Sequence, residues 1–561
     1  MLKAIFVFFS CILCVICYIV NPGPMYPPTK GEIWPLVGNQ VKSKTYFVLR
    51  PQFFEFNVVN YDCSIIQQAI TRYWLIINQQ ALGNFKPIQK LQNDLYKKEK
   101  HPNFEGFLDA LNVNLTGSCK GDELPYFNMD ESYEIEISKQ RVELKSPSIW
   151  GILRGMESFS QLIYASEDLT LKVNFTTISD RPKYSHRGLL LDTSRHFISV
   201  KKILETLDAM AYNKLNVFHW HIVDDQSFPY KSVKFPKMSD KGAYHPVLRV
   251  YQQDDIKNII EYARIRGIRV MAEFDTPGHT RSWGEAITDL LTPCYDKTSS
   301  KPTGQFGPID PTKNSTYAFL KTFFGEVVKV FPDKYVHLGG DEVGFECWES
   351  NPIIKEFMKA NNLTDNYAGL ESFYIQKLVK IVQNLKSNFI VWEEVFTNGV
   401  KLPPETIVHV WIDGDYKGLM SNITAEGKKI ILSACYYLDH LETGGDWLSY
   451  YRCDPSNFTA TDNQKSLVMG GEAAMWSEVV NDYNVISRVW PRASAVAEKL
   501  WSVHSPNLNI DDTDNNVINL YIKGKLTSDT IMVAKRLEEH TCRMNKRGIG
   551  AQPPTGPGVC L

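Results

Sequence analysis

The chain has 561 residues, which is long enough for two domains with separate hydrophobic cores. Lys plus Arg (61) nearly balances Asp plus Glu (63), and a net charge of -2 gives no reason to expect nucleic acid or an anionic membrane as a partner. Aromatic residues are numerous, with 27 Tyr and 12 Trp, and indoles offer flat apolar faces on which sugar rings stack.

The first segment, residues 1–20, has the pattern of a secretory signal peptide. Lys3 precedes an apolar run from Ala4 to Val20, and the breaker Asn-Pro-Gly-Pro follows. The run is long and contains no Ala-x-Ala cleavage site, so an uncleaved membrane anchor is the alternative. We favour cleavage after Cys17, with Val15 and Cys17 at the small-residue positions, and no membrane span in the mature chain.

The cysteines and the glycosylation sequons point to the secretory route. Three of the eleven cysteines lie in the first segment, which leaves eight, an even number that suits an oxidising compartment. Six Asn-x-Ser/Thr sequons agree, at Asn114, Asn174, Asn314, Asn362, Asn422 and Asn457. These features predict a lysosomal or secreted protein, and reduced cysteines with unused sequons are the alternative.

Residues 21–180 are predicted to form a small accessory α+β domain. A helical stretch at 65–77 is combined with short strand-like runs at 46–49, 133–137 and 169–175. A proline break in the segment from Ile178 to Tyr184 marks the boundary of this domain.

Residues 181–561 change to apolar strand runs that are separated by amphipathic helices. Eight such runs lie at 188–192, 215–222, 268–275, 335–341, 389–395, 407–411, 430–434 and 468–476. Near-continuous apolar strands are typical of a parallel sheet covered on both faces. The fold class is therefore α/β, and the eight repeats predict a catalytic (β/α)8 TIM barrel that follows the accessory domain.

Polar and aromatic residues follow each of these runs, where a TIM barrel places its active site. In chain order they are Arg195, Asp224, Asp275, His279, Asp341, Glu342, Trp392, Glu394, Trp411, Tyr436, Tyr437, Trp476 and Glu478. Helix capping alone would favour Ser, Thr, Asn and Asp over Trp at such places. The set therefore predicts one reactive site at the mouth of the barrel.

The run KYVHLGGDEV (Lys334 to Val343) delivers two adjacent carboxylates, Asp341 and Glu342. The structural alternative is that Asp341 caps a helix and Glu342 lies in its first turn. Glycosidic hydrolysis needs an acid for the leaving oxygen and a second group at the oxocarbenium-like centre. Glu342 can be the acid, but its neighbour is badly placed as an opposite-face nucleophile. A 2-acetamido group on the sugar can attack instead, if Asp341 holds its N–H, a tyrosine holds its oxygen and three indoles enclose its methyl.

Five runs resemble those of the family-20 β-N-acetylhexosaminidases, especially the animal-type lysosomal members. They are RGLLLDTSRHF (Arg187 to Phe197), HWHIVDDQSFPY (His219 to Tyr230), AEFDTPGHT (Ala272 to Thr280), HLGGDEV (His337 to Val343) and GGEAAMWSE (Gly470 to Glu478). The resemblance extends from Ser185 to the C-terminus and more weakly over the amino-terminal domain. It implies a barrel enzyme in which the acetamido group of the substrate is the nucleophile.

The resemblance also implies roles for single residues. Glu342 is the expected general acid and base, Asp341 is expected to orient the acetamido nitrogen, and Tyr437 is expected to hold the acetamido oxygen. The expected substrate-binding residues are Arg195, Asp224, His279, Trp392, Trp411, Asp439, Trp476 and Glu478. No metal and no cofactor are expected, because barrel histidines such as His219 and His221 are more often satisfied by hydrogen bonds than by a metal.

The chain departs from the family pattern just before Tyr437. Where S-A-P-W-Y-L is expected, residues 433–438 read S-A-C-Y-Y-L, and Cys453 is also unexpected. We predict an additional disulfide that re-anchors this loop, Cys435 with Cys453. The family pattern implies the remaining pairs, Cys63 with Cys119, Cys294 with Cys347, and Cys542 with Cys560.

The residues after Tyr437 are Asp439 and His440. Family members that accept a 6-sulfated sugar resemble Asn-Arg at these places, whereas an acid repels sulfate. We therefore expect a preference for neutral terminal GlcNAc or GalNAc.

The residues and the resemblance together predict an exo-acting, retaining β-N-acetylhexosaminidase. Its substrates are expected to be glycans with terminal N-acetylhexosamine, and the resemblance implies a homodimer. One alternative is a non-catalytic glycan-binding protein on the same barrel. The other is a hexosaminidase specialised for chitin oligosaccharides or for N-glycan trimming.

Overall fold

The computed structural model describes residues 28–82, 101–166, 170–296, 298–440, 445–508, 516–555 and 560. The predicted signal segment, residues 1–20, lies outside these ranges, so the choice between cleavage and an anchor stays a prediction. Within the ranges described, no helix has both the length and the apolar character needed to cross a membrane.

The amino-terminal domain is built on one mixed sheet. Its strands are β1 Asn39–Leu49, β2 Glu55–Val58, β3 Phe104–Leu108, β4 Ala110–Leu115, β5 Tyr133–Ile137, β6 Val142–Ser146, β7 Tyr164–Ala165 and β8 Leu171–Asp180. They run in the order β2-β4-β6-β5-β8-β1-β3, with β7 paired to β8. Alternate residues of β5 are fully buried, which is the period-two pattern of a sheet with one face on a core. The predicted α+β character is confirmed.

The domain has two helices, α1 Ser64–Leu82 and α2 Ile149–Leu162; α2 packs on the sheet at β4, β5 and β6, and α1 packs on α2. Every residue of α2 is buried. Its Arg154 donates to the carbonyl oxygens of Arg266 (3.0 Å) and Gly267 (2.8 Å), just before the third barrel strand. The helix is therefore enclosed between the accessory sheet and the barrel.

The second domain is a closed barrel of eight parallel strands, as predicted. The strands are β9 His186–Asp192, β10 Val217–His221, β11 Arg269–Glu273, β14 Tyr335–His337, β15 Asn388–Trp392, β16 Ile407–Val410, β17 Lys429–Leu432 and β18 Val468–Met475. A hairpin of β12 Leu291–Tyr295 and β13 Pro302–Ile309 follows β11. Nearly every residue of the barrel strands is buried, apolar and ionisable residues alike, because both faces of the sheet are covered.

Helices surround and extend the barrel. They are α3 Val200–Tyr212, α4 Lys237–Gly242, α5 Gln253–Arg264, α6 Arg281–Gly284, α7 Asn314–Val330, α8 Glu346–Ser350, α9 Pro352–Ala360, α10 Tyr367–Asn384, α11 Glu393–Thr397, α12 Tyr416–Ala425, α13 Trp447–Arg452, α14 Asp462–Lys465, α15 Val485–Val489, α16 Arg492–Trp501, α17 Val517–Ile522 and α18 Ser528–Lys546.

Two predicted strand ends are corrected. The run 335–341 stops being a strand at His337, because the glycines that follow adopt left-handed backbone angles. The run 389–395 stops at Trp392, where α11 begins, so Glu394 lies in the first turn of a helix rather than on a strand.

The accessory domain is joined to the amino-terminal end of the barrel. Oε1 of Glu131 accepts hydrogen bonds from Arg154 of α2 (2.8 Å) and from Arg187 of β9 (2.6 Å). Oε2 of Glu131 accepts from Asn216, the residue before β10 (3.2 Å). These contacts lie where the barrel strands begin, at the end of the barrel opposite its carboxyl-terminal mouth.

A buried glutamate on α10 makes the stability of the fold depend on pH. Glu371 is fully buried, its Oε2 accepts from Asn398 at 2.9 Å, and its Oε1 has no partner among the described residues. Burial raises the pKa of Glu371 from 4.5 to about 7, so the folded state prefers the neutral acid. The resulting stability is full below the unfolded pKa and is lost as the pH rises through the folded pKa.

We therefore expect Glu371→Gln to stabilise the protein at about pH 8, by up to about 3 kcal/mol, and to have little effect at about pH 4. The amide stays neutral, so it avoids burying a charge at high pH. Melting temperatures at the two pH values test this, with exposed Glu356→Gln as the matched control. An equal shift at both pH values would contradict the assignment.

Candidate active site

The acidic pair lies on a loop that requires glycine. After β14, Gly339 and Gly340 adopt φ angles of 66° and 98°. A Cβ atom on residue 339 would lie 1.7 Å from Oδ1 of Asp275, and the same oxygen accepts a 2.7 Å hydrogen bond from the backbone N–H of Gly340. The next helix, α8, begins at Glu346 with Phe345 as its cap. The interpretation of Asp341 as the cap of this helix is therefore wrong.

Asp341 and Glu342 have different environments although they are neighbours. The side chain of Asp341 is 11% exposed, whereas that of Glu342 is 60% exposed. Glu342 has a φ of 50°, a left-handed conformation that is uncommon for residues other than glycine and often marks a functional position. One carboxyl group is thus enclosed in the protein, and the other faces solvent.

Asp275 lies next to the enclosed carboxyl group of Asp341. Asp275 is almost fully buried, and burial together with the negative charge of Asp341 raises the pKa of Asp275 well above its usual range. A protonated Asp275 can donate to Asp341, and this hydrogen bond favours the neutral form further. Asp275 was noted at a strand end in the sequence but was given no role there.

His279 stands between the acid pair and a second buried carboxylate. Its Nε2 lies 3.6 Å from Oε2 of Glu342 and 3.7 Å from Oδ2 of Asp341, and its Nδ1 lies 3.2 Å from Oδ1 of Asp224. Burial disfavours the imidazolium, but the surrounding carboxyl groups, with Asp275 foremost, outweigh it and raise the pKa of His279 to about 12. His279 therefore presents a positive charge to both acids.

Three indoles and a phenol form an apolar pocket beside Asp341. The ring centroid of Trp392 lies 6.4 Å from that of Trp411 and 6.2 Å from that of Trp476. Tyr437 stacks on Trp411 at 6.0 Å and is fixed to β18 by a bridge to Ala474. The structure thus brings together the four aromatic residues that the sequence predicted, which come from four different strand ends.

Hydrogen bonds fix the orientation of two of the indoles. The N–H of Trp392 donates to Oε1 of Glu273 at 2.7 Å, and the N–H of Trp411 donates to Oε2 of Glu394 at 2.8 Å. Burial and the charge of Asp341 raise the pKa of Glu394 to about 8, so this carboxyl group is neutral at acidic pH. Glu273 was not singled out in the sequence, and Glu394 was assigned no role there. The available signal was a charged residue within or just after an apolar run, since such a residue needs buried partners.

Arg195 and Glu478 meet on one side of the mouth. Arg195 lies 3.1 Å from Asp192, 2.9 Å from Asp224 and 3.6 Å from the exposed Glu478, and its guanidinium covers the ring of Trp476 at 5.0 Å. These carboxylates raise the pKa of Arg195 despite its burial. Asp192, which ends the first barrel strand, was not among the site residues predicted from the sequence.

Asp439 lies next to the pocket on the loop that carries Tyr437. Burial raises the pKa of Asp439, and its Oδ1 is buried with no partner in the part of the chain that is described. His440 is exposed, and its ring centroid lies 6.0 Å from that of Tyr437. A role of Asp439 in substrate binding stays a prediction.

The barrel histidines face carboxylates. Nδ1 and Nε2 of His221 lie 2.6 Å and 2.8 Å from Glu273 and Asp224, and His219 lies 2.8 Å from Glu472 and 3.1 Å from Glu273. His219 belongs to two groups that are close enough together to surround a cation, one with Glu273 and His337 and one with His409 and Glu472. Both nitrogens of His221 are hydrogen-bonded to carboxylates, whereas Nε2 of His219 makes no hydrogen bond within the described residues. The expectation of no metal and no cofactor stays a prediction.

Disulfides link the eight cysteines in the structure. The pairs are Cys63–Cys119, Cys294–Cys347, Cys435–Cys453 and Cys542–Cys560, the same pairs as expected from the sequence. Cys294–Cys347 ties the hairpin to α8 just after the acid pair, and Cys435–Cys453 ties the Tyr437 loop to the end of α13. Four disulfides suit an oxidising compartment.

The six sequons fall into two groups. Asn314, Asn362, Asn422 and Asn457 are exposed. Asn114 and Asn174 are partly buried, and their amide nitrogens donate to Glu143 (3.1 Å) and to the carbonyl of Ser43 (2.8 Å). The use of any of these sites as a glycan acceptor stays a prediction.

A TIM barrel with a carboxyl pair and an indole-lined pocket at its carboxyl-terminal mouth defines the class of glycoside hydrolases. The family model "Glycosyl hydrolase family 20, catalytic domain" matches residues 184–504, and the model "beta-acetyl hexosaminidase like" matches residues 33–162. The chain belongs to glycosyl hydrolase family 20 and is a β-N-acetylhexosaminidase.

Relatives and solved structures agree with this assignment. The chain is 49% identical to the human beta-hexosaminidase subunit beta over 538 residues, which cover 95% of this chain and 89% of the relative. It is 44% identical to the bovine beta-hexosaminidase subunit alpha, with 93% of each chain covered. The X-ray structure of the Flavobacterium johnsoniae chitobiase is similar with a TM-score of 0.74 at 29% identity, over 92% of this chain and 73% of that one.

Proposed function

We propose that this enzyme releases terminal β-linked GlcNAc or GalNAc with retention of configuration, and that the acetamido group of the sugar is the nucleophile. The observation that carries the proposal is the division between the two adjacent acids. Asp341 is enclosed beside the indole pocket, whereas Glu342 is open to solvent. Retaining enzymes with a protein nucleophile need two carboxyl groups on opposite faces of the sugar, and sequence neighbours on one loop are poorly placed for that.

In the first step, Glu342 donates its proton to the glycosidic oxygen as the bond to the anomeric carbon breaks. The acetamido oxygen attacks that carbon from the opposite face and forms an oxazolinium-like ring. Asp341 accepts the N–H of the acetamido group and balances the positive charge that develops there. The hydroxyl of Tyr437 donates to the acetamido oxygen, and the three indoles exclude water from the methyl group.

In the second step, Glu342 acts as a base. It takes a proton from a water molecule, which attacks the anomeric carbon from the face that the leaving group has left. The ring opens, and the acetamido group is regenerated, so two inversions give net retention. The imidazolium of His279, 3.6 Å from Glu342, stabilises the carboxylate that exists between the steps.

Two narrower roles remain as alternatives within the enzyme class, chitin oligosaccharide breakdown and N-glycan trimming. A glycan-binding protein without turnover would not need Asp341, Glu342 and Tyr437 together. We further propose a lysosomal or secreted location, which the four disulfides support, and a homodimer by analogy with the family.

The Tyr437 loop is expected to select neutral sugars. Asp439 lies two residues after Tyr437 on the same loop, and a carboxylate there repels a 6-sulfate. We expect kcat/KM for a neutral aryl GlcNAc or GalNAc to exceed that for the 6-sulfated analogue by at least about tenfold, which corresponds to about 1.4 kcal/mol.

The test uses the four aryl substrates, neutral and 6-sulfated GlcNAc and GalNAc, at acidic and neutral pH, with Glu342→Gln as the control. It tests both the proposed hydrolysis and the preference for neutral sugars. Failure to cleave the neutral substrates would contradict the proposed function. Equal rates on neutral and sulfated substrates would contradict only the role of Asp439.

A further inference from the structure

A continuous series of ionisable side chains fills the centre of the barrel. Its members are fully or almost fully buried, and they come from four strands and the loop after β10: His186, Glu472, His219, Glu273, His221 and Asp224. Neighbours in this order lie within hydrogen-bonding distance of one another, so acids and imidazoles alternate. Only closure of the barrel brings these strands together.

Glu273, at the end of β11, is the point where this series meets the substrate pocket. Its Oε1 accepts the indole N–H of Trp392 at 2.7 Å, and its Oε2 lies 2.6 Å from Nδ1 of His221. Two further imidazoles face it, His219 at 3.1 Å and His337 at 3.3 Å. Oε1 of Glu273 thus contacts the indole pocket, and Oε2 contacts the imidazole that leads toward Glu342.

The second oxygen connects to the proton-transfer residue. Nε2 of His221 lies 2.8 Å from Oδ2 of Asp224, and Oδ1 of Asp224 lies 3.2 Å from Nδ1 of His279. The other nitrogen of His279 lies 3.6 Å from Glu342. Arg195 also holds Asp224, at 2.9 Å, and so restrains the middle of this path from the side.

We propose that Glu273 is a positioning residue that couples the indole wall of the acetamido pocket to the orientation of the general acid Glu342. The inference rests on the proposed function. Glu273 itself does not touch substrate, since it is fully buried beneath Trp392 and His221.

The electrostatics keep this coupling intact over a wide pH range. The imidazoles around Glu273 outweigh the effect of burial and hold the pKa of Glu273 well below its usual range. Burial disfavours a charged His221, but the carboxylates of Glu273 and Asp224 raise the pKa of His221 to about 10. His221 is therefore protonated on both ring nitrogens and donates from each of them. The direction of its hydrogen bonds to Glu273 and Asp224 is fixed for that reason.

Glu273 has two sets of contacts that can be disrupted separately. The hydrogen bond to Trp392 is the pocket arm, and the path through His221, Asp224 and His279 is the arm to Glu342. In Glu273→Gln, the amide oxygen still accepts the N–H of Trp392, but the negative charge opposite His221 is lost. The arm to Glu342 is weakened while the pocket arm is kept. A defect in the general acid depends on the leaving group, because an acidic phenol departs without protonation and a weakly acidic phenol does not.

We expect Glu273→Gln to lower kcat/KM for an aryl GlcNAc with a weakly acidic phenol by about tenfold, a part of the 10²–10⁴-fold that a general acid supplies. For an aryl GlcNAc with a strongly acidic phenol, the loss should stay within about twofold. His221→Gln, which cuts the same arm, should reproduce this split. Trp392→Phe, which removes the pocket arm, should lower both rates by the same factor.

An equal loss on both substrates in Glu273→Gln, or no loss on either, would overturn the proposal. Melting temperatures establish that the variants are folded, and His221→Gln decides the matter if Glu273→Gln does not fold. If His221→Gln then lowered kcat/KM equally on both substrates, or on neither, the proposal would be overturned as well. If the wild-type enzyme cleaves neither substrate, the proposed function itself has failed, which is a different result.

Discussion

Glu342→Gln is expected to lower kcat/KM for substrates with poor leaving groups by about 10²–10⁴-fold. The amide keeps the size of the side chain and its left-handed backbone, but it has no proton to donate and cannot act as a base. Binding should persist, because the acetamido pocket of Asp341, Tyr437 and the indoles is untouched. The measurements are steady-state rates on an aryl GlcNAc series and the affinity for GlcNAc itself.

The matched control for this experiment is Glu346→Gln. Glu346 is an exposed glutamate four residues further along the same segment, so it undergoes the same chemical change without contact with His279. It should leave activity unchanged. Near-normal turnover in Glu342→Gln would show that the general acid has been assigned to the wrong residue.

Tyr437→Phe is expected to lower kcat/KM by about 10²–10³-fold, the usual cost of removing one donor that stabilises developing charge. The acetamido oxygen becomes the nucleophile, and the hydroxyl of Tyr437 orients and polarises it in a pocket that excludes water. The phenyl ring keeps its stacking on Trp411, at 6.0 Å between centroids, so pocket shape is retained. The measurement compares GlcNAc substrates with the corresponding plain glucosides.

The fall in kcat/KM caused by Tyr437→Phe should appear only when the substrate carries an acetamido group. Residual hydrolysis of a plain glucoside should be the same in wild type and variant, because the hydroxyl then has no partner. Tyr436→Phe is the neighbouring control: its buried hydroxyl donates to the carbonyl of Cys453 at 3.1 Å, so its removal should cost stability rather than activity. A parallel fall on both substrates would argue against the assigned contact.

The barrel and most of the site could be predicted from sequence because their signals are local. Apolar runs that alternate with amphipathic helices specify strands covered on both faces. Strand ends in such a fold meet at one mouth, so Arg195, Asp341 and Trp476 could be grouped although they are far apart along the chain. The adjacency of the two acids also indicated that Asp341 is poorly placed to act as a nucleophile on the face of the sugar opposite Glu342.

Element boundaries were less predictable where backbone geometry overrides residue preference. Gly339 and Gly340 turn out of the strand because Asp275 occupies the space that a side chain would need. Glu394 was placed on a strand, since the run FIVWEEV is apolar and aromatic, but it opens a short helix instead. In the first case a residue from another part of the chain, Asp275, restricts the position to glycine.

By itself, the sequence predicted a two-domain organisation, a glycosidase role for the acid pair and a cluster of aromatic residues beside it, because residue type and spacing carry that information. Only the tertiary structure decided which charges the site contains. The pKa values of Asp275 and His279 are raised, that of Glu273 is lowered, and Glu273 contacts two parts of the site, because burial and contacts between distant strands act on each group. Such contacts have no fixed spacing along the chain, so they become visible only when the barrel closes.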